Sequence, residues 1–197
     1  MHGKRIALVL ISAFIIFHLV GCGSPPQDQI NAAQAALEAA KNAEADRYVP
    51  DKYGAAKNAL DGAMAEVKKQ DSKMMFKNFD QATTMLGNAT NLAKEAQSSA
   101  VSRKQEIQQQ LPQMIEDLNA AIMEVKRLVR RAPRTKESMM ALQSINADVQ
   151  ALQNIPDQAS SAIAGGDFIT AYNQVNAALS KANGLIDELN QAISRGY

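Results

Sequence analysis

Few side chains in this chain can do chemistry, and the placement of its only cysteine is the most telling. Cys22 follows Leu19-Val20-Gly21. Before that, Lys4 and Arg5 precede an apolar stretch from Ile6 to Val20, interrupted only by Ser12 and His18. A basic start, a short apolar run and small or medium residues before a cysteine form a bacterial secretory signal ending in a lipobox. The chemistry expected at Cys22 is therefore acylation. Cleavage before Cys22 frees its amine, and lipid joins both amine and thiol. An uncleaved anchor is the weaker alternative, because about 20 apolar residues are needed to cross the hydrocarbon core. Gly23-Ser24-Pro25-Pro26 reads as a flexible tether, and the lack of an acidic residue there favours outer-membrane delivery in a two-membrane bacterium.

Removing the leader removes most of the remaining chemistry. Both histidines, His2 and His18, lie in residues 1–21, and lipid would consume the only thiol. The processed chain then has no histidine and no tryptophan, which excludes histidine acid/base catalysis and Cys/His metal or haem ligation. No metal and no cofactor is expected. Loss of Lys4 and Arg5 leaves 19 basic against 20 acidic residues, a balance that gives no global attraction to nucleic acid.

Carboxylates could still catalyse. Glu116 and Asp117 are adjacent, but neighbours on a helix point in different directions. Glu66, Asp80, Glu95, Glu124, Asp148, Asp187 and Glu188 are scattered and read as solvated positions. Gly165-Gly166 lacks the spacing and the lysine of a phosphate loop. No catalytic residue is expected. One cluster stands out: Lys126, Arg127, Arg130, Arg131, Arg134 and Lys136, between Glu124 and Glu137. Two accounts fit it. Cations meet the negative end of a helix dipole at a C-terminus, or the cluster contacts an anionic phospholipid, cell-wall polymer or acidic partner surface.

The elements that position these residues are helices. Alanine and straight-chain residues favour helix, and no alternating β-branched run predicts a strand. The expected class is all-α, an elongated antiparallel helical bundle or stacked helical hairpins with long heptad-patterned helices. Gln27 to Arg47 reads as a first helix, and Pro50 starts the second. A turn at Gln70-Asp71-Ser72 follows, with Asp71 capping the third. That helix carries the seam Met75, Phe79, Ala82, Leu86, Ala89, Ala93, Ala96 and Ala100, a coiled-coil spacing. Ile107, Leu111, Leu118, Ile122 and Val125 continue the stripe, while Pro112 either kinks one long helix or opens another. Thr135 caps the next helix, Pro156 kinks it and Gly165-Gly166-Asp167 ends it. The last helix carries Phe168, Tyr172, Val175, Leu179, Ala182, Ile186, Leu189 and Ile193.

The expected organisation is a signal peptide over 1–21, a lipidated cysteine and tether over 22–27, and a helical domain over 28–197. Within that domain the clean runs define two candidate related units, 28–100 and 112–195. Offsets of 96 and of 93 residues each align part of one run with the other. The seams superpose better at 93, with Met75 on Phe168 and Phe79 on Tyr172.

Val49-Pro50-x-x-Tyr53-x-x-Ala56-x-x-x-Leu60-x-x-Ala63, then Asp71 and an alanine-laddered helix, resembles bacterial alanine-rich helical lipoproteins of unknown function. Gly166-Asp167-Phe168-x-x-Ala171 is similar to the turn of tetratricopeptide-like hairpins in that family. The first copy departs from it, having Gln70-Asp71-Ser72 at that turn. The resemblance implies a lipid-anchored helical body in the cell envelope and carries no activity. Two functions follow as expectations. The first is a non-enzymatic scaffold or adaptor, held to the membrane by Cys22 and meeting an envelope protein or cell-wall partner. The second is a periplasmic-side module holding an envelope polymer or amphiphile in a groove lined by Met64, Met74, Met75, Met139 and Met140.

Overall fold

Alanine at the centre of an apolar stripe lets helix axes approach closely, and the architecture is built on that approach. A computed structural model describes residues 23–195. The leader and Cys22 lie outside the described residues. Among the described residues the elements are helices only: α1 Gln27–Asn42, α2 Ala45–Tyr48, α3 Pro50–Asp71, α4 Asp80–Arg131, α5 Lys136–Gln153, α6 Ile155–Ala164 and α7 Phe168–Arg195. The protein is an elongated all-α bundle.

Helix α4 is its spine. It is one helix of 52 residues, with Pro112 inside it on an exposed face, and it runs about 78 Å at 1.5 Å per residue. The N-terminal half of α4 packs with α1 and α3. Ile30, Val67, Phe79 and Ala82 meet at one end, and Ala36, Ala56 and Ala93 meet midway. Ala40, Tyr48, Ala96 and Ala100 join the core further along. Helices α1 and α4 therefore run the same way, with α3 opposed to both. The C-terminal half of α4 repeats the arrangement with α7 beside it and α5–α6 opposed. Helix α4 thus closes one three-helix unit and opens the next.

The two units share a buried pattern at an offset of 89 residues. Ala82, Leu86, Ala89, Ala93, Ala96 and Ala100 correspond to Ala171, Val175, Ala178, Ala182, Leu185 and Leu189, all of them buried. Neither 96 nor 93 gives this match, because the seam of α7 is rotated from the expected one. Phe168, Tyr172, Leu179, Ile186 and Ile193 are half-buried flanks, while Ala171, Ala178 and Leu185 form the centre. In the first unit the buried line is mostly alanine, whereas in the second Val175, Leu185 and Leu189 share it with Ala171, Ala178 and Ala182.

Local chemistry moved several boundaries. The first helix stops at Asn42, not Arg47, because Glu44 adopts φ 59°, ψ 31°. That left-handed geometry costs a non-glycine residue about 1–2 kcal/mol. Its carboxylate accepts hydrogen bonds from Lys104 of α4 and from Arg47, which offset the cost. Asp71 does not cap α4. The chain continues as a loop over 72–79, and Asn78 accepts from the Asp80 amide at 2.8 Å. Asp71 instead accepts from Lys77 Nζ at 2.8 Å. Met75 lies in that loop, 67% exposed, so the seam begins at Phe79. Pro156 does not kink a continuous helix; it sits in the first turn of α6, after a break at Asn154. Thr135 does cap α5, its hydroxyl accepting from the Ser138 amide at 3.2 Å. Gly166 turns the chain into α7 with φ +80°, where only glycine is unstrained.

Candidate functional site

The basic segment lies at the C-terminal end of the spine. Arg127 pairs with Glu124, Nε donating to Oε2 at 2.7 Å, and the contact raises the arginine pKa and lowers that of the carboxyl. Arg130, Arg131, Arg134 and Lys136 are exposed, and Lys126 is half-buried. Arg130 and Arg131 close the last turn of α4, where the dipole favours cations. Arg134 and Lys136 lie beyond that turn, so the dipole does not account for them.

Helix α5 stands partly away from its neighbours at this end. A depression of about 330 Å³ is lined by Leu142, Ile145, Leu189 and Ala192, with Ser138 and Arg195 at its polar edge. A second, of about 480 Å³, lies between Val129, Arg134, Met139, Met140 and Leu142. Met139 and Met140 are 64% and 81% exposed. The five methionines do not line one groove. Met64 packs in the core beside the start of α4. Met74 and Met75 stand on the 72–79 loop at that same end. Met139 and Met140 lie near the far end, about 70 Å along α4. The arrangement corrects the expected shared lining.

A cluster of titratable groups lies where the two units meet, and sequence reasoning missed it. Arg47 donates to Asp167 at 2.6 Å and approaches Thr170 at 3.4 Å, joining α2 to the start of α7. Lys104 lies 5.6 Å from the Tyr48 ring centroid, and Arg103 lies 5.1 Å from that of Tyr172. Hydrogen bonding to Lys104 lowers the Glu44 pKa, and bonds from Thr170 and then Arg47 lower that of Asp167. Burial raises the Tyr48 pKa. Glu44 and Asp167 are each paired with a cation, and Glu44 and Lys104 also line a depression of about 310 Å³ with Asn42, Gln105 and Gln108. The cluster ties the units together. The only sequence signal was Gly166-Asp167-Phe168, since Glu44 and Arg47 are 120 residues or more from Asp167 and Thr170.

The isolated carboxylates fare differently. Glu116 and Asp117 are exposed, and Asp117 accepts from Gln113. Glu66 is not a solvated position. It is 8% exposed and accepts from Gln70 Nε2 at 2.6 Å and Lys69 Nζ at 3.0 Å, which lower its pKa. Among the described residues no helix is long and apolar enough to cross a membrane. No group of three or more His, Cys, Asp or Glu among them could hold a metal.

The fold and the basic end define a class, an elongated all-α bundle with charged residues concentrated at one end and at its waist. No family model, curated protein or solved structure matches the chain.

Proposed function

We propose that this protein is a lipid-anchored, non-enzymatic scaffold of the bacterial cell envelope, facing the periplasm from the outer membrane. Cys22 carries the lipid, and the helical body holds the segment 126–136 at a distance from it. The leader and the Leu19-Val20-Gly21-Cys22 box support the anchor, as does the resemblance to alanine-rich helical lipoproteins.

The observation that carries the scaffold reading is the separation of the two ends. Gly23 sits against Lys77 and Phe79, where α4 begins. The exposed arginines lie where α4 ends, about 70 Å away. A bundle this long and narrow suits spanning a gap. Its basic end then addresses a cell-wall polymer or the acidic surface of an envelope protein.

Metabolic labelling with an alkynyl fatty acid, followed by mass analysis of the N-terminal peptide, tests the anchor. Label on Cys22 that disappears in Cys22→Ser is expected. An unlabelled wild-type chain refutes the reading. Photocrosslinking from position 134 in intact envelopes tests the scaffold, and a discrete adduct is expected.

A second reading, a module that holds an amphiphile or polymer segment, draws on the apolar depression beside Leu142, Ile145 and Leu189. In that case the ligand binds at the basic end alone, and Ile145→Asp abolishes its retention.

A further inference from the structure

Three large apolar side chains in a row stand in solvent on the 72–79 loop. Met74 is 95% exposed, Met75 67% and Phe76 87%. The loop is nonetheless well built. Ser72 Oγ donates to the Lys69 carbonyl at 2.9 Å. The Lys73 amide donates to the Gln70 carbonyl at 3.1 Å, and Lys77 pairs with Asp71 at 2.8 Å. The Gln70 side chain, itself 7% exposed, accepts from the Asn78 amide at 3.4 Å. Both feet are tied to α3, and among the described residues nothing covers the tip. Phe76 holds φ 56°, a left-handed conformation that bulky residues rarely adopt. The fold therefore positions an apolar tip that it does not bury.

The neighbour of this tip says what covers it. A Cβ on Gly23 would lie 3.3 Å from the Lys77 carbonyl oxygen and 3.3 Å from the Phe79 ring. Gly23 therefore rests on the foot of the loop. Cys22 directly precedes Gly23 in the chain. Lipid on Cys22 would enter the bilayer beside the tip. Lys68 and Lys73 are exposed around it, which suits anionic headgroups.

We propose that Met74, Met75 and Phe76 form a second membrane contact, dipping into the headgroup boundary of the bilayer that receives the Cys22 lipid. The inference rests on the lipid reading of Cys22. Apolar surface of this kind enters about 5–10 Å into the headgroup and acyl boundary. Two attachment points close together at one end orient the bundle, which a single lipid on a loose linker does not.

The test uses the full lipidated chain in phosphatidylethanolamine and phosphatidylglycerol vesicles. Acylation of Cys22 leaves an introduced cysteine as the sole labelling site. An environment-sensitive probe is placed by Met75→Cys, by Phe76→Cys, or by Met140→Cys as the far-end reference. The proposal expects the probes at 75 and 76 to be quenched by doxyl-labelled lipid and shielded from an aqueous quencher, with the reverse at 140. Probes at 75 and 76 as water-accessible as that at 140, on a chain whose Cys22 is acylated, overturn this inference alone. Shielding from water without quenching by lipid also overturns it, since a protein or a second copy then covers the tip. Absence of acyl mass on Cys22 overturns both this inference and the anchor reading.

Discussion

Ala36, Ala56 and Ala93 meet at one level of the first unit, one from each helix, with exposures of 8%, 1% and 1%. Replacing Ala93 with leucine asks whether the three axes are as close as that layer implies. Leucine adds three carbons. If space were available, burying them would stabilise the protein by about 2 kcal/mol, at about 0.8 kcal/mol per methylene. If the layer is closed, overpacking costs about 1–3 kcal/mol. The sign therefore decides. For a domain of this size that cost lowers the melting temperature by about 2–12 °C. Thermal unfolding followed by circular dichroism at 222 nm measures it. At the offset of 89 the corresponding residues are Val125, Ile145 and Ala182, of which Ile145 is only half-buried beside the open depression. A melting temperature for Ala93→Leu that is unchanged or raised refutes the close-approach argument.

Three further outcomes follow from particular contacts. Pro112→Ala is expected to stabilise the protein by about 2 kcal/mol, because an interior proline costs a helix about 3 kcal/mol and loses part of that back through the unfolded state; denaturant titration checks it. Glu44 and Asp167 have folded pKa values below the usual carboxylate range. Their contribution is present above the unfolded pKa, near pH 4, and is lost as pH falls through the folded value. The melting temperature should therefore drop below about pH 4, and less steeply in Asp167→Asn; equal slopes would remove the waist cluster from the account. Arg130→Gln, Arg131→Gln and Arg134→Gln together should leave stability within about 0.5 kcal/mol while reducing envelope crosslinking from this end. Unchanged crosslinking would assign those charges to solubility alone.

How far each element could be read from the residues depends on where its determinants lie. The α4 seam from Phe79 to Ala100 was legible because one helix carries it at strict coiled-coil spacing, and Thr135 because its cap is local. Met75 extended the same spacing by chance into a loop, since periodicity does not record that α4 begins only at Asp80. On α7 two apolar stripes run side by side. Size alone favoured Tyr172 and Ile186 as the centre, whereas close approach selects Ala171 and Ala178. The break at Glu44 has no glycine to announce it, and its compensation comes from Lys104, 60 residues away. A separation twice as long, 120 residues, hid the Arg47–Asp167 contact. The basic segment was visible as composition. Its place at the far end of a continuous α4 was not, because Pro112 allowed a break that the structure does not take.

Under the proposed function, lipid at one end and charge at the other are separated by the length of the bundle. Neutron reflectometry of the lipidated chain on a supported bilayer measures that separation. A protein layer of about 80 Å is expected from α4 standing away from the membrane. A layer of about 20 Å, the thickness of helices packed 8–10 Å apart, would mean that the bundle lies flat with its arginines on the same bilayer, and would contradict the account.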